Sequence, residues 1–337
     1  MRRLRVMLTV GALAVAGGLA GPSAARALDA AGLGVVINTA DPASVEVGEY
    51  YVRRRGIPPA NVAFVSLPVA DEIDRETFEA ARDRVERALP PTVQALALAW
   101  TRPYRVACLS VTTAFAFGFD PAFCADGCRP TRRSPYFDSA SAAPFRDLHL
   151  RPAMLLAGSS VAHAEATIDR GAAADSTFPT GTAYLLSTSD RARNTRASRY
   201  ALVTALPLPF RVRRVDADAL RDARDVLFYF TGRASVDGLE TLRFQPGAIA
   251  DHLTSTGGVL NGTGQMSVLR WLDAGATASY GAVVEPCNFP MKFPQPSVVM
   301  AHYARGETLI EAYWKSVAWP GQGVFVGEPL AAPFRPR

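Results

Sequence analysis

LGVVINTADPASVEVGEYYVRRRGIPPANVAFVSLPVADEIDRETFEAARDRVERALPPTVQALALAW, residues 33–100, decides the fold class. Leu33–Asn38 is a continuous apolar run, as expected of a strand covered on both faces. Thr39–Ser44 is a polar turn in which Asp41 or Ser44 can cap a helix over Val45–Arg54. Gly56 stops that helix and Pro58-Pro59 bars its continuation. Val62–Leu67 reads as a second strand. Asp74 caps a helix over Arg75–Leu89, in which Phe78, Val85 and Leu89 share one face. Val93–Trp100, almost wholly apolar, is a third strand. Alternating strands and helices of this kind predict an α/β fold. The expected form is a three-layer α/β/α sandwich around a mostly parallel sheet of about six strands.

Beyond this stretch, Thr101–Arg151 breaks the pattern and holds three of the four cysteines. It is expected to be a long insertion in a single domain over 28–337. Ala153–Ala157 reads as a strand, Val161–Arg170 as a helix and Ala183–Ser187 as extended chain. Ser189–Arg199 reads as a polar surface loop, Asp218–Arg224 as a helix and Val226–Thr231 as a strong strand. Pro246–Thr254 reads as a short helix, because Pro246 suits a first turn. Gly257–Leu260 is expected to be a buried strand between Gly-rich turns, followed by a helix over Val268–Leu272 capped by Ser267. A strand over Ala276–Val284 then gives out at Glu285-Pro286-Cys287-Asn288. Helices over Ser297–Ala304 and Thr308–Val317 precede GQGVFVGEPL, residues 321–330, which reads as a Gly/Pro-rich tail.

The first 27 residues read as an export leader. Arg2, Arg3 and Arg5 form a basic start, Val6–Ala20 an apolar core, and Ala25-Arg26-Ala27 a small-residue cleavage site. The apolar run falls short of the roughly 20 residues a spanning helix needs. Cleavage should therefore leave a chain that starts near Leu28 and does not span a membrane, in the periplasm or outside the cell. Four of the 36 basic residues lie in the leader, which leaves 32 against 31 acidic ones. That balance gives no field of the kind that attracts nucleic acid.

Export to an oxidising compartment favours disulfides over thiols. Cys124 and Cys128, separated by the turn sequence Ala125-Asp126-Gly127, are expected to pair locally. Cys108 and Cys287 then either pair or leave Cys287 free. A free Cys287 beside Glu285 and Asn288 could act as a nucleophile with His252 as its base. The four histidines make no HxH or HxxxH spacing, so no metal site is expected. Without a Walker loop, GxGxxG, GxSxG or HExxH, no cofactor is expected either. Ligands of parallel α/β sheets bind outside the carboxyl ends of the strands. Those ends carry Thr39, Asp41, Arg102, Arg105, Ser159, Gly232, Arg233, Asn261, Glu285 and Cys287. Arg102, Arg233 and Glu285 are expected to face one cleft, with Arg102 and Glu285 in contact directly or through one water.

GATASYGAVVEPCNFPMKFP (275–294), RGETLIEAYWKSVAWPGQGVFVGEPLAAPF (305–334) and RPAMLLA (151–157) resemble a family of secreted bacterial proteins to which no reaction is attached. Members of that family occur in bacteria that carry exosortase, the membrane enzyme of PEP-CTERM protein sorting. The resemblance implies envelope or sorting-system proteins as partners. A remoter similarity is to the caspase-like fold of gingipain-type peptidases, through the closing Gly327-Glu328-Pro329-Leu330. It implies a dyad near Thr231-Gly232-Arg233 and Leu260-Asn261-Gly262, where His and Cys are missing. Two functions follow as expectations. One is a non-catalytic accessory protein on a degenerate caspase-like scaffold. The other is a peptide- or glycan-acting hydrolase using Glu285, Arg102 and Cys287.

Overall fold

The computed structural model describes residues 27–125 and 127–336. All of the predicted leader except Ala27 lies outside them. In chain order the elements are β1 (Leu33–Asn38), α1 (Pro42–Arg55), β2 (Val62–Val65), β3 (Glu72–Ile73), α2 (Arg75–Ala88), β4 (Ala95–Leu98), β5 (Arg105–Val106), β6 (Leu109–Ser110) and α3 (Val111–Phe117). Next come α4 (Pro144–Leu148), β7 (Ala153–Leu155), α5 (Val161–Ala174), β8 (Thr182–Ser187), α6 (Tyr200–Thr204), β9 (Arg211–Asp216), β10 (Val226–Thr231) and β11 (Phe244–His252). The chain closes with α7 (Leu269–Asp273), β12 (Ala278–Ala282), α8 (Pro296–Ala304), α9 (Leu309–Lys315) and β13 (Gly323–Gly327).

The fold is α/β, with a ten-stranded, mostly parallel sheet in the order β2-β1-β4-β7-β13-β12-β11-β10-β8-β9. One apolar cluster packs α1, α5, α6, α8 and α9 on one face. A second packs α2, α3 and α7 on the other, which makes the three layers. The caps follow the sequence: Asp41 accepts from the amide of Ala43, Asp74 from Thr77 and Ser160 from His163.

One feature reverses the expected site geometry. Strands β2, β1, β4, β7 and β13 run parallel to one another. Strands β12, β11, β10, β8 and β9 also run parallel to one another. The two sets meet antiparallel at β13–β12, so their carboxyl ends lie on opposite edges of the sheet. Arg102 follows β4 and Glu285 follows β12, and the expectation of a shared cleft fails for that reason.

Several elements differ from expectation. Pro246–Thr254 belongs to β11, a nine-residue strand buried from Gly247 to His252. Gly257–Leu260 is not a strand. Its glycines let the chain lie flat on β12: a Cβ at Gly258 would sit 2.3 Å from the carbonyl oxygen of Gly281. The strand ends assigned to a caspase-like dyad are therefore not neighbouring ends, since the strand beside β10 finishes at His252. Residues 218–224 form no helix, while RVRRVD at 211–216 forms the edge strand β9. The Gly/Pro-rich tail supplies β13, fully buried at the centre of the sheet. Within the insertion, α3 is buried from Val111 to Ala116.

The four cysteines form Cys108–Cys124 and Cys128–Cys287, with Cα–Cα distances of 5.4 and 5.5 Å. The expected pairings, Cys124–Cys128 and Cys108–Cys287, are both corrected. Cys124 closes the Pro121–Phe123 turn in extended conformation, and its sulfur meets Cys108. The insertion is nevertheless tied to the Glu285 loop, through Cys128. Both bonds fit an oxidising, exported environment. Among the described residues no helix is long and apolar enough to cross a membrane.

Candidate functional site

A cleft of about 880 Å³ opens at the carboxyl ends of β1, β4 and β7. Its lining includes Asp41, Thr101, Arg102, Ser159, Asn261 and Arg270. The β4 and β7 loops are joined by Thr101, whose hydroxyl donates to the carbonyl of Gly158 at 3.1 Å. The Gly-rich loop after β11 reaches this edge across the sheet. There Asn261 donates to Asp71 at 2.9 Å and accepts from the hydroxyl of Tyr104 at 3.0 Å. Arg102 lies 3.8 Å from Asp71, a loose pair with its side chain 42% exposed. Arg270 is exposed and has no ion-pair partner among the described residues. Two arginines thus face the cleft with donors to spare.

No motif in the sequence marks His163 or Asp273 as a site residue. The structure brings both to Ser159. Ser159 Oγ lies 2.5 Å from His163 Nδ1 and 2.8 Å from Asp273 Oδ1, while His163 Nδ1 lies 3.3 Å from the same Oδ1. The three residue types match a nucleophile relay, but the geometry does not. In a relay the serine meets one imidazole nitrogen and the carboxylate the other. Here both meet Nδ1, and the hydroxyl donates to Asp273, so the carboxylate does not hold the far nitrogen of the ring as a relay requires. The cluster joins the β7 loop to α7.

The second edge carries a smaller cleft, about 310 Å³, lined by Cys128, Arg193, Thr254, Glu285, Cys287 and Asn288. Glu285 accepts from the backbone amide of Cys287 at 2.7 Å, and Asn288 donates to the carbonyl of Ala192 at 3.2 Å. Cys287 is disulfide-bonded and cannot serve as a nucleophile. Arg193 is held by Asp190 at 2.9 Å and Thr254 at 3.0 Å. Below this edge Arg196 and Asp251 form a fully buried pair at 2.5 Å. No sequence signal marks Arg196, which sits in what reads as a polar loop.

His252 is excluded from acid–base work by its partners. Nδ1 accepts from the indole N–H of Trp271 at 2.9 Å, and Nε2 donates to the carbonyl of Met266 at 3.0 Å. Burial lowers its pKa from 6.5 to about 4, because the imidazolium would lose solvent and one of these two bonds. The unfolded chain therefore binds a proton between those values that the folded chain refuses. Stability is fully present above 6.5 and falls as pH drops toward 4. Between pH 7 and pH 5 this group alone should remove about 2 kcal/mol. Urea unfolding across that range, compared with His252→Gln, checks it. A variant with the same slope as wild type assigns the pH dependence to other groups.

The remaining expected site residues are scattered. Arg105 pairs with Glu72, and Arg233 pairs with Asp218 at 3.1 Å. Thr39 donates to the carbonyl of Val65. Gly232 packs against the backbone of Arg193, which a Cβ would meet at 2.1 Å. Asp41, Arg102, Ser159 and Asn261 share the larger cleft, and Glu285, Cys287 and Asn288 share the smaller one. No group of three or more His, Cys, Asp or Glu among the described residues is placed to hold a metal ion.

Fold and site together define an α/β sandwich whose sheet carries a polar cleft on each edge. Compared with protein-family models and with curated proteins, the chain matches none.

Proposed function

We propose that this chain is a non-catalytic, exported binding component of an exosortase-associated envelope system. It holds a polar ligand bearing an anionic group in the larger cleft. The observation that carries the reading is the pair of arginines on the cleft wall, Arg102 loosely paired and Arg270 without an ion-pair partner among the described residues, beside a serine whose hydroxyl donates to Asp273. Guanidinium groups in this state favour carboxylate or phosphate, which they can bind bidentately. The envelope setting rests on the resemblance carried by residues 151–157, 275–294 and 305–334.

A labelled tetraglutamate peptide tests the reading. Binding should weaken at least tenfold in Arg270→Ala and in Arg102→Ala, as loss of a charged hydrogen bond implies. The wild-type protein should not turn the peptide over. A hydrolase using Ser159, in place of the one expected from Glu285, Arg102 and Cys287, is favoured by one observation, the contact of Ser159 with His163. Fluorophosphonate labelling of Ser159, abolished in Ser159→Ala, would establish it and overturn the binding reading. Unchanged affinity in both arginine variants would also sink the cleft as the binding site.

A further inference from the structure

Three carboxylates among the described residues are almost completely buried: Asp251, Glu311 and Glu328. Two have an arginine, Asp251 with Arg196 and Glu328 with Arg55. Among the described residues no cation forms an ion pair with Glu311. Lys315, one turn further along the same helix, is held by Glu307 at 2.7 Å. Oε2 of Glu311 accepts from the amide and hydroxyl of Thr308 at 2.9 and 2.6 Å, closing the cap of α9. It also accepts a third bond, from the backbone nitrogen of Leu28 at 3.2 Å. Oε1, buried beside it, has no hydrogen-bond partner among the described residues. An unfilled acceptor on a buried carboxylate is costly, and a missing positive charge costs more.

The position of that third donor is informative. Leu28 is the residue immediately after Ala25-Arg26-Ala27. The residue is 5% exposed and belongs to the apolar core, and its carbonyl accepts from Arg335 at 2.6 Å. The residue is therefore gripped at nitrogen, side chain and carbonyl. We infer that the Glu311 pocket is a receptor for the new α-amino group made by cleavage between Ala27 and Leu28. Hydrolysis adds water across that peptide bond, leaving a carboxylate on Ala27 and an amine on Leu28, which takes up a proton. The amide gives one N–H to Glu311; the ammonium gives three, and supplies the charge that Glu311 lacks. Processing thus completes a buried ion pair, and the processed chain is the most stable form.

Three chains test this: one starting at Leu28 with a free amine, one retaining Ala27, and one starting at Leu28 but N-acetylated. At pH 7 the folded-to-unfolded ratio of the free-amine chain should exceed both others at least tenfold. In Glu311→Gln the advantage should shrink to less than twofold. Should that variant not fold, acylation of the Leu28 amine by a water-soluble active ester serves instead. It should be at least tenfold slower in the folded wild-type chain than in urea. Equal stabilities of the three chains, an undiminished advantage in Glu311→Gln, equal acylation rates, or an exported chain starting elsewhere than Leu28 would each overturn the inference.

Discussion

Replacing both Cys128 and Cys287 by serine should lower the unfolding free energy by about 5 kcal/mol on the chain-entropy account, since the bond closes a sequence separation of 159 residues. The matching Cys108→Ser, Cys124→Ser variant, with a separation of 16, should lose about 3 kcal/mol. The order matters more than either value, because loop-closure entropy grows with the logarithm of loop length. Cys128–Cys287 also joins the insertion to the loop that carries Glu285, so its loss should loosen the smaller cleft. Denaturant unfolding of the oxidised proteins measures both variants. If the short bond proves the more stabilising, native-state packing rather than chain entropy governs these cysteines.

Arg55→Ala should cost about 3–5 kcal/mol, the range for removing one partner of a buried ion pair. Arg55 meets Glu328 through two bonds, Nε to Oε1 at 2.9 Å and Nη2 to Oε2 at 2.6 Å, and reaches Asp175 at 2.5 Å. Glu328 has no exposed surface, so among the described residues the variant leaves its carboxylate with the hydroxyl of Tyr51 and the amide of Leu330. The neighbouring Arg54 is the control. Its pair with Asp169 is about half exposed on both sides, and Arg54→Ala should cost no more than about 1 kcal/mol. Similar losses in the two variants would mean that Glu328 relaxes to another partner or to water.

How much of this was legible before the structure differs between the two halves of the sheet. From Leu33 to Trp100 apolar runs, caps and stops agree with one another, and the elements fall where those signals put them. In the second half two glycine-rich segments mislead in opposite directions. Gly257–Leu260 looks like a strand but lies over one, and Gly323–Gly327 looks like a tail but is one. In both the glycines answer a close approach that only tertiary packing creates. At Gly323 a Cβ would fall 1.7 Å from the hydroxyl oxygen of Tyr280. The membership of each cleft was partly legible, because residues after apolar strands do gather at strand ends. The antiparallel seam was not, since no local signal states which way β13 runs. Hence Arg102 with Ser159 could be grouped correctly, while Glu285 was assigned to the wrong edge.

The position of β13 also sets when the molecule can fold. Its partners are β7, some 170 residues earlier, and β12, which begins 45 residues earlier. The strand that joins the two halves is nearly the last to be made. Until it arrives, β7 and β12 each present an unpaired edge, and neither half can be sealed by the other. Contacts this distant in sequence form slowly, because the intervening chain must be ordered before they contribute. A chain that stops short of Gly323 therefore lacks the middle of its sheet rather than its end, and truncation there should leave two open half-sheets prone to aggregate.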